Sequence, residues 1–314
     1  MSPWHPAGLT WKQLARRVWH EIEDDDVFGQ AAKLSYYFLL AVFPLLLVLT
    51  TLFGYLTQIG DLRAALLDYF RRVVPSSAFQ LVVTTLDQIS SGAGGGKLSI
   101  GILGTLWAAS NGMAALSHSL NVAYEVKEGR PWWKSRLIAA VLTLAFAIFT
   151  AVAMLLVLAG GRMGAFLAGR FGLEDVFAIA WNIGHWLVAL VLVLIAVDLL
   201  YRFAPDRKNR KREWITPGGI VAVALWVLVS LGFRVYLHFV NSYNATYGSL
   251  GAVIVLMLWF YLTSAAVLIG AEVNSEMDSA AARIGDNEAP IGIKGAELER
   301  QKEHFDANKQ GREN

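Results

Sequence analysis

From Leu250 to Gly270 the chain carries no charged residue, and Thr263 and Ser264 are its only aliphatic hydroxyls there. About 20 apolar residues rising ~1.5 Å each cross a ~30 Å hydrocarbon layer, so the stretch is predicted to be a transmembrane helix. Its borders are sharp. Tyr243, Asn244 and Tyr247 stand at one end, Glu272, Asn274 and Glu276 at the other. A carboxylate within a turn of such a run is costly in lipid and has to face protein or water. A span of this kind requires the rest of the chain to be read as membrane helices packed around it.

Composition agrees with that reading. Of 314 residues, 55% are hydrophobic and 17% charged, too apolar for an ordinary soluble domain. The net charge of +2 offers no basic surplus for nucleic acid. Without cysteine there is no thiol catalysis, disulfide or Cys-ligated metal. The first 33 residues lack the short apolar run and cleavage site of a signal peptide, so the first span is expected to direct insertion itself.

The expected fold is all-α, a polytopic integral membrane bundle of about six spans at 34–56, 98–122, 137–159, 176–200, 215–240 and 249–273. Short extramembrane and interfacial helices accompany it. In the N-terminal segment 1–33, Trp11, Leu14, Ala15, Val18, Trp19 and Ile22 fall at helical spacing opposite Lys12, Arg16 and Arg17. That pattern suits a helix lying in the membrane interface, or one docked on the bundle. The acidic run 23–26 then reads as a solvated face or a helix cap. Segment 58–97 carries two amphipathic stretches broken at Pro75, predicted to be extracytoplasmic helices, and ends in the Gly-rich hinge 90–96. Residues 277–314 alternate acidic and basic side chains and are expected to form a disordered tail.

Loop charge sets the orientation. Lys127, Arg130, Lys134 and Arg136 follow span 2, and Arg202, Arg207, Lys208, Arg210, Lys211 and Arg212 follow span 4. Basic loops stay on the cytoplasmic side, so both termini are expected there.

Polar groups inside the spans are the candidate functional residues. In span 2, Ser110, Asn111, Ser117, His118 and Asn121 share a stripe that has to turn inward, either as interhelical glue or as the wall of a wet pathway. Span 5 carries Arg234, with His238 nearby, and Arg234 can snorkel outward or receive an anionic substrate. Pro44 in span 1 removes a helical hydrogen bond, giving a packing kink or a moving hinge. Asp198 and Glu272 are candidates for ion or proton coupling, although Asp198 is also spaced to pair locally with Arg202. The histidines show no HxH or HxxxH spacing, so no metal and no cofactor is expected.

Four blocks carry a resemblance: AAKLSYYFLLAVFPLLL at 31–47, LYRFAPDRK at 200–208, PGG at 217–219, and YGSLGAVIVLMLWFYLTSAAVLIGAEVNSE at 247–276. In order and spacing, over roughly residues 20–280, they resemble the YihY/BrkB membrane family. The resemblance implies a bacterial inner-membrane protein with links to envelope integrity or lipid export. Some members carry a ribonuclease BN label. The HxHxDH pattern that such metal-dependent ribonucleases resemble has no counterpart here, and there is no basic, aromatic-laced soluble domain to hold RNA. The expected function is therefore a transporter or flippase of an amphiphilic or anionic, lipid-like substrate, with membrane lipids as partners and no nucleic acid. A non-transporting envelope scaffold is the alternative, and a membrane-associated ribonuclease a distant third.

Overall fold

The computed structural model describes residues 9–56, 83, 95–171, 175–207, 215–239 and 243–283. Seven helices are described: α1 Trp11–Asp24, α2 Val27–Leu56, α3 Gly95–Ala123, α4 Trp132–Phe171, α5 Asp175–Phe203, α6 Pro217–Phe239 and α7 Tyr243–Arg283. Among the described residues there is no strand. Most of segment 58–97, and the tail from 284 onward, lie outside the described residues.

Local signals explain where the helices begin and stop. Thr10 caps α1: its hydroxyl accepts from the Gln13 N–H (3.3 Å), while Gln13 Oε1 accepts from the Thr10 N–H (2.9 Å). At the end of the acidic run Asp26 takes a positive φ of 47° and accepts a hydrogen bond from Gly29 N (3.2 Å). It thereby turns the chain and caps α2, which starts at Val27 rather than near residue 34 because Val27, Ala31 and Leu34 already face the core. Past Ala123, Glu125 N bonds Val122 O (2.8 Å) and Val126 N bonds Asn121 O (2.9 Å). This double closure ends α3, and Glu125 occupies the left-handed position (φ 51°) that usually belongs to glycine.

Among the described residues four stretches are long and apolar enough to cross a membrane: Trp132–Ala153, Gly184–Phe203, Pro217–Tyr236 and Val253–Ala281. A shorter apolar stretch, Val27–Val42, lies in α2. At 30 and 29 residues α2 and α3 also exceed the ~20 needed to span. All six helices overlap the predicted spans.

Helices α2 to α7 close into a ring in chain order, with α7 packing back on α2 and α3 reaching inward to α7. The α5–α6 seam is the least extensive of the ring. Helix α1 docks against α7 and α2 through Leu14, Val18 and Ile22, leaving Trp11 and Trp19 exposed. Its Arg17 lies 3.9 Å from Glu276. That docking corrects the expected tail boundary: α7 continues helically through 277–283, because Met277, Ala280 and Ala281 bury a further stripe.

Among the described residues of α6 and α7, burial is concentrated at the end of the bundle where α1 packs, called here the α1 end. On α6 the buried residues are Gly218, Gly219, Ala222 and Val223, and none from 224 to 236 is buried. On α7 none from 253 to 263 is buried, whereas most from 264 to 281 are. The two helices touch backbone to backbone at Gly218 and Gly270, where a Cβ on either residue would overlap the other's carbonyl oxygen. We expect Gly270→Ala to lower the thermal midpoint by an amount worth roughly 1–3 kcal/mol. Gly232→Ala, with nothing within 4 Å of the added carbon, should leave the midpoint unchanged or slightly raised. Thermal unfolding of both variants in detergent checks the pair.

Candidate functional site

The polar groups of the α1 end form one interlock, built from the chain stretches on either side of α5. The last carbonyls of a helix need outside partners. For α5 these come from Ser117, whose hydroxyl donates to Ala204 O (2.5 Å), and from Arg130, whose Nη2 donates to the same oxygen (2.9 Å). A guanidinium is well matched to a helix C-terminus, where the dipole is negative. Arg130 is 6% exposed and is gripped by both oxygens of Glu128, at 2.6 and 2.7 Å. Those charge-assisted bonds hold the Glu128 carboxyl down at about 2, against an ordinary 4.5, and push the Arg130 guanidinium higher still. Asn121 joins the α3–α4 loop to the chain after α5. Its amide donates to Glu128 Oε2 (2.9 Å), and its carbonyl accepts from Asp206 N (2.8 Å). Asp206 in turn accepts from Gly129 N (2.9 Å).

A second half of the interlock fixes the start of α6. Thr216 precedes Pro217, which as first helical residue has no N–H to lose. The Thr216 hydroxyl donates to Asp198 (2.5 Å) and accepts from Gly219 N (3.0 Å) and from the Asn274 amide (3.0 Å). Asn274 also accepts from Gly218 N (2.8 Å) and donates to the Tyr124 hydroxyl (3.2 Å). Burial pushes the Tyr124 phenol up, keeping it neutral. Arg207 lies over the Tyr124 ring, 4.4 Å from its centroid, and pairs with Asp278. Tyr201 donates to Val267 O (2.6 Å). Helices α3, α5, α6 and α7 are thus tied by side chains whose hydrogen-bonding capacity is largely used.

Glu272 is different. It lies on α7 at 1% exposure, and its Oε1 is buried with no hydrogen-bond partner. The carboxylates bearing on it are Asp25, Glu21, Glu125 and Glu276.

The sequence-predicted pathway residues do not form one stripe. Ser117 and Asn121 belong to the interlock. Ser110 is fully buried and donates back to Trp107 O (2.7 Å). Asn111 accepts from Arg136 (2.7 Å), which also lies 4.2 Å over the Trp107 ring. His118 is exposed. Arg234 is exposed on α6 between Leu231 and Val235, and α6 packs on α7 and α5, so Arg234 is not brought to the α3 groups. His238 lies in the last turn of α6, with its side chain outside the described residues. Pro44 is half-buried within α2, which continues past it to Leu56. Asp198 spends its hydrogen bonds on Thr216, because the α6 N-terminus offers both a hydroxyl and an N–H, and the local pairing with Arg202 gives way to this.

Sequence reading counted Arg130 only as loop charge and passed over Glu128 and Asp206. It also passed over Thr216, although Thr-Pro-Gly-Gly is a readable helix start.

A ring of long apolar helices tied together by polar side chains at one end is a multi-pass helical membrane protein. The model of the Virulence factor BrkB family matches residues 18–291, and the chain belongs to that family. It is 38% identical over 247 residues to a ribonuclease-like protein, YfkH, of Bacillus subtilis, covering 79% of this chain and 88% of that one. It is 28% identical over 273 residues to a UPF0761 membrane protein of Xanthomonas oryzae pv. oryzae, covering 84% of this chain and 60% of that one. A UPF0761 membrane protein of Xanthomonas campestris pv. campestris is 27% identical over 275 residues, with 85% and 61% covered. This chain therefore spans about three fifths of the Xanthomonas relatives. No solved structure matches it.

Because the Glu128 carboxyl sits below its ordinary value, its contribution to stability is complete above pH 4.5 and is lost as pH falls toward about 2. Unfolding midpoints followed over that window should fall for the wild type and lose this component in Glu128→Gln. At neutral pH, Arg130→Ala should cost roughly 1–3 kcal/mol, since it leaves helix carbonyls and a carboxylate without their partner.

Proposed function

We propose that the protein is a carrier of the bacterial inner membrane that moves or flips an amphiphilic or anionic, lipid-like substrate. The reading rests on the uneven burial of α6 and α7, packed backbone to backbone at the α1 end and unburied over the next several turns. A bundle sealed at one end and loosely packed toward the other has the form of a carrier held in one of its access states. In that half Ser230 Oγ and Thr263 Oγ1 are buried without a hydrogen-bond partner, on helices rich in apolar residues such as Trp226, Phe233 and Trp259. Apolar walls with sparse hydroxyls suit a molecule that is part chain and part head group. Arg234, nearer the far end, is placed to meet the charge of such a head group, and the turn around Pro44 is where α2 can bend. The interlock is the closed side, with the N-terminus and both basic loops, taken as cytoplasmic.

A second reading, a non-transporting envelope scaffold, is favoured by the complete use of Ser117 and Asn121 in protein hydrogen bonds. The ribonuclease-like name of the Bacillus relative suggests RNA cleavage as a third. Among the described residues no three His, Asp or Glu side chains are grouped to hold a metal ion, so this reading ranks last.

The natural absence of cysteine makes the test direct. Protein reconstituted in liposomes should transfer labelled phospholipid or small anions faster than empty vesicles do. Ser230→Cys should react with a water-soluble maleimide, while Ser117→Cys stays protected in the resting state. No transfer above empty vesicles, together with protection of both cysteines under every condition tried, would establish the scaffold instead.

A further inference from the structure

We propose that Arg136, together with Trp107 and Trp132, holds the phosphate of a membrane phospholipid on the outer face of the bundle, in the groove between α3 and α4. Arg136 is a charge without a counter-charge. Its Nη2 donates to Trp107 O (2.9 Å) and to Asn111 Oδ1 (2.7 Å), both neutral acceptors, and its Nε is buried with no hydrogen-bond partner. Among the described residues no carboxylate pairs with it, and its Nη1 makes no hydrogen bond. Glu128, which accepts from the neighbouring Ser135 (3.1 Å), is committed to Arg130 and Asn121. The guanidinium is nonetheless held in place. It lies over the Trp107 ring, 4.2 Å from the centroid, and that ring leans on Trp132 with centroids 5.9 Å apart. A fixed guanidinium with donors to spare is the side chain best matched to a phosphate.

Its position says which phosphate. Arg136 stands one turn inside α4, whose apolar span begins at Trp132. Trp132 and Trp133 are 72% and 62% exposed, with Lys134 exposed beside them, the mixture that sits in the headgroup layer of a membrane. Deeper along the span Leu137 and Val141 are both exposed. On α3, Gly104 lies about one turn from Trp107, on the side away from the α1 end. It is exposed, and an added Cβ there would meet nothing within 4 Å. Because α3 and α4 pack as antiparallel neighbours, this open notch continues the groove from Arg136 toward the middle of the span. A water-borne anion gains nothing from such an apolar continuation. A phospholipid uses both parts, with its phosphate at Arg136 and an acyl chain along the Gly104 notch. The site is separate from the interlock and from Arg234, and it does not depend on the carrier reading. A resident lipid would fasten α3 to α4 in a carrier and in a scaffold alike.

The test uses the full chain in detergent micelles, titrated with dioleoylphosphatidylglycerol and read by native mass spectrometry as protein–lipid complexes. The wild type should bind this lipid roughly tenfold more tightly than Arg136→Gln does. It should also prefer it to dioleoylglycerol, which has the same chains and no phosphate. Excess inorganic phosphate should leave the complex intact. Gly104→Leu, which keeps the guanidinium and fills the notch, should weaken phosphatidylglycerol binding without lowering the thermal midpoint. Equal binding by the wild type and Arg136→Gln overturns the proposal, and so does equal retention of dioleoylglycerol. Displacement by inorganic phosphate would make this a site for a free anion and overturns the lipid as its occupant. Should Arg136→Gln not fold, Gly104→Leu decides: weakened binding supports the lipid site, and unchanged binding overturns it. Absence of flux in liposomes would overturn the carrier reading while leaving a positive binding result intact.

Discussion

Lipid offers no hydrogen bonds, and most of this structure follows from that one fact. Each polar side chain that enters the bundle has to find a partner in protein, and backbone satisfaction restricts the spans to helices. The chain meets the requirement at the α1 end by interlocking its polar groups. Ser117, Asn121, Glu128, Arg130, Asp206, Thr216 and Asn274 satisfy one another and the exposed ends of α5 and α6. The Gly218–Gly270 contact belongs to the same solution. Only with both side chains absent can α6 come close enough for Asn274 to reach Gly218 N. Close packing and the hydrogen bonds are therefore one feature rather than two.

The consequence for dynamics is a bundle with unequal ends. Local opening follows the regions with few buried contacts and few interlocking bonds. By that measure the α1 end, with its interlock, is the firmly fastened end of the described bundle. Glu272 complicates the rigid end. It is one of two positions in the packed stretch of α7, with Ser264 Oγ, where a buried oxygen is left unbonded. Natural cores tolerate such a group when it has work to do.

Much of the fold was legible in the sequence because its signals are collective. Twenty apolar residues in a row leave little choice, and each predicted span overlaps a described helix. The errors came where one or two side chains decide. The start of α2 moved to Val27 because Asp26 takes a left-handed conformation and caps it, which no periodicity reports. Helix α7 ran on through Arg283 because α1 comes back to cover Met277 and Ala280, a long-range contact invisible to a local window. The candidate site was half legible. The spacing of Ser117 and Asn121 marked an inward face, but their partners lie in loops where Arg130 looked like orientation charge and Glu128 and Asp206 carried no signal. His118 failed for a simpler reason: one residue past Ser117 is ~100° around the helix, enough to leave the core.

Glue and pathway have been treated as rivals, and the geometry suggests why they need not be. A carrier must close one side completely while the other is open, and the closed side of a membrane bundle has the same demands as a scaffold. Its polar groups must be dry, paired and close-packed. The bonds of Ser117 and Asn121 therefore describe one state and do not by themselves exclude a second. What separates the readings is whether anything at that end is built to be released.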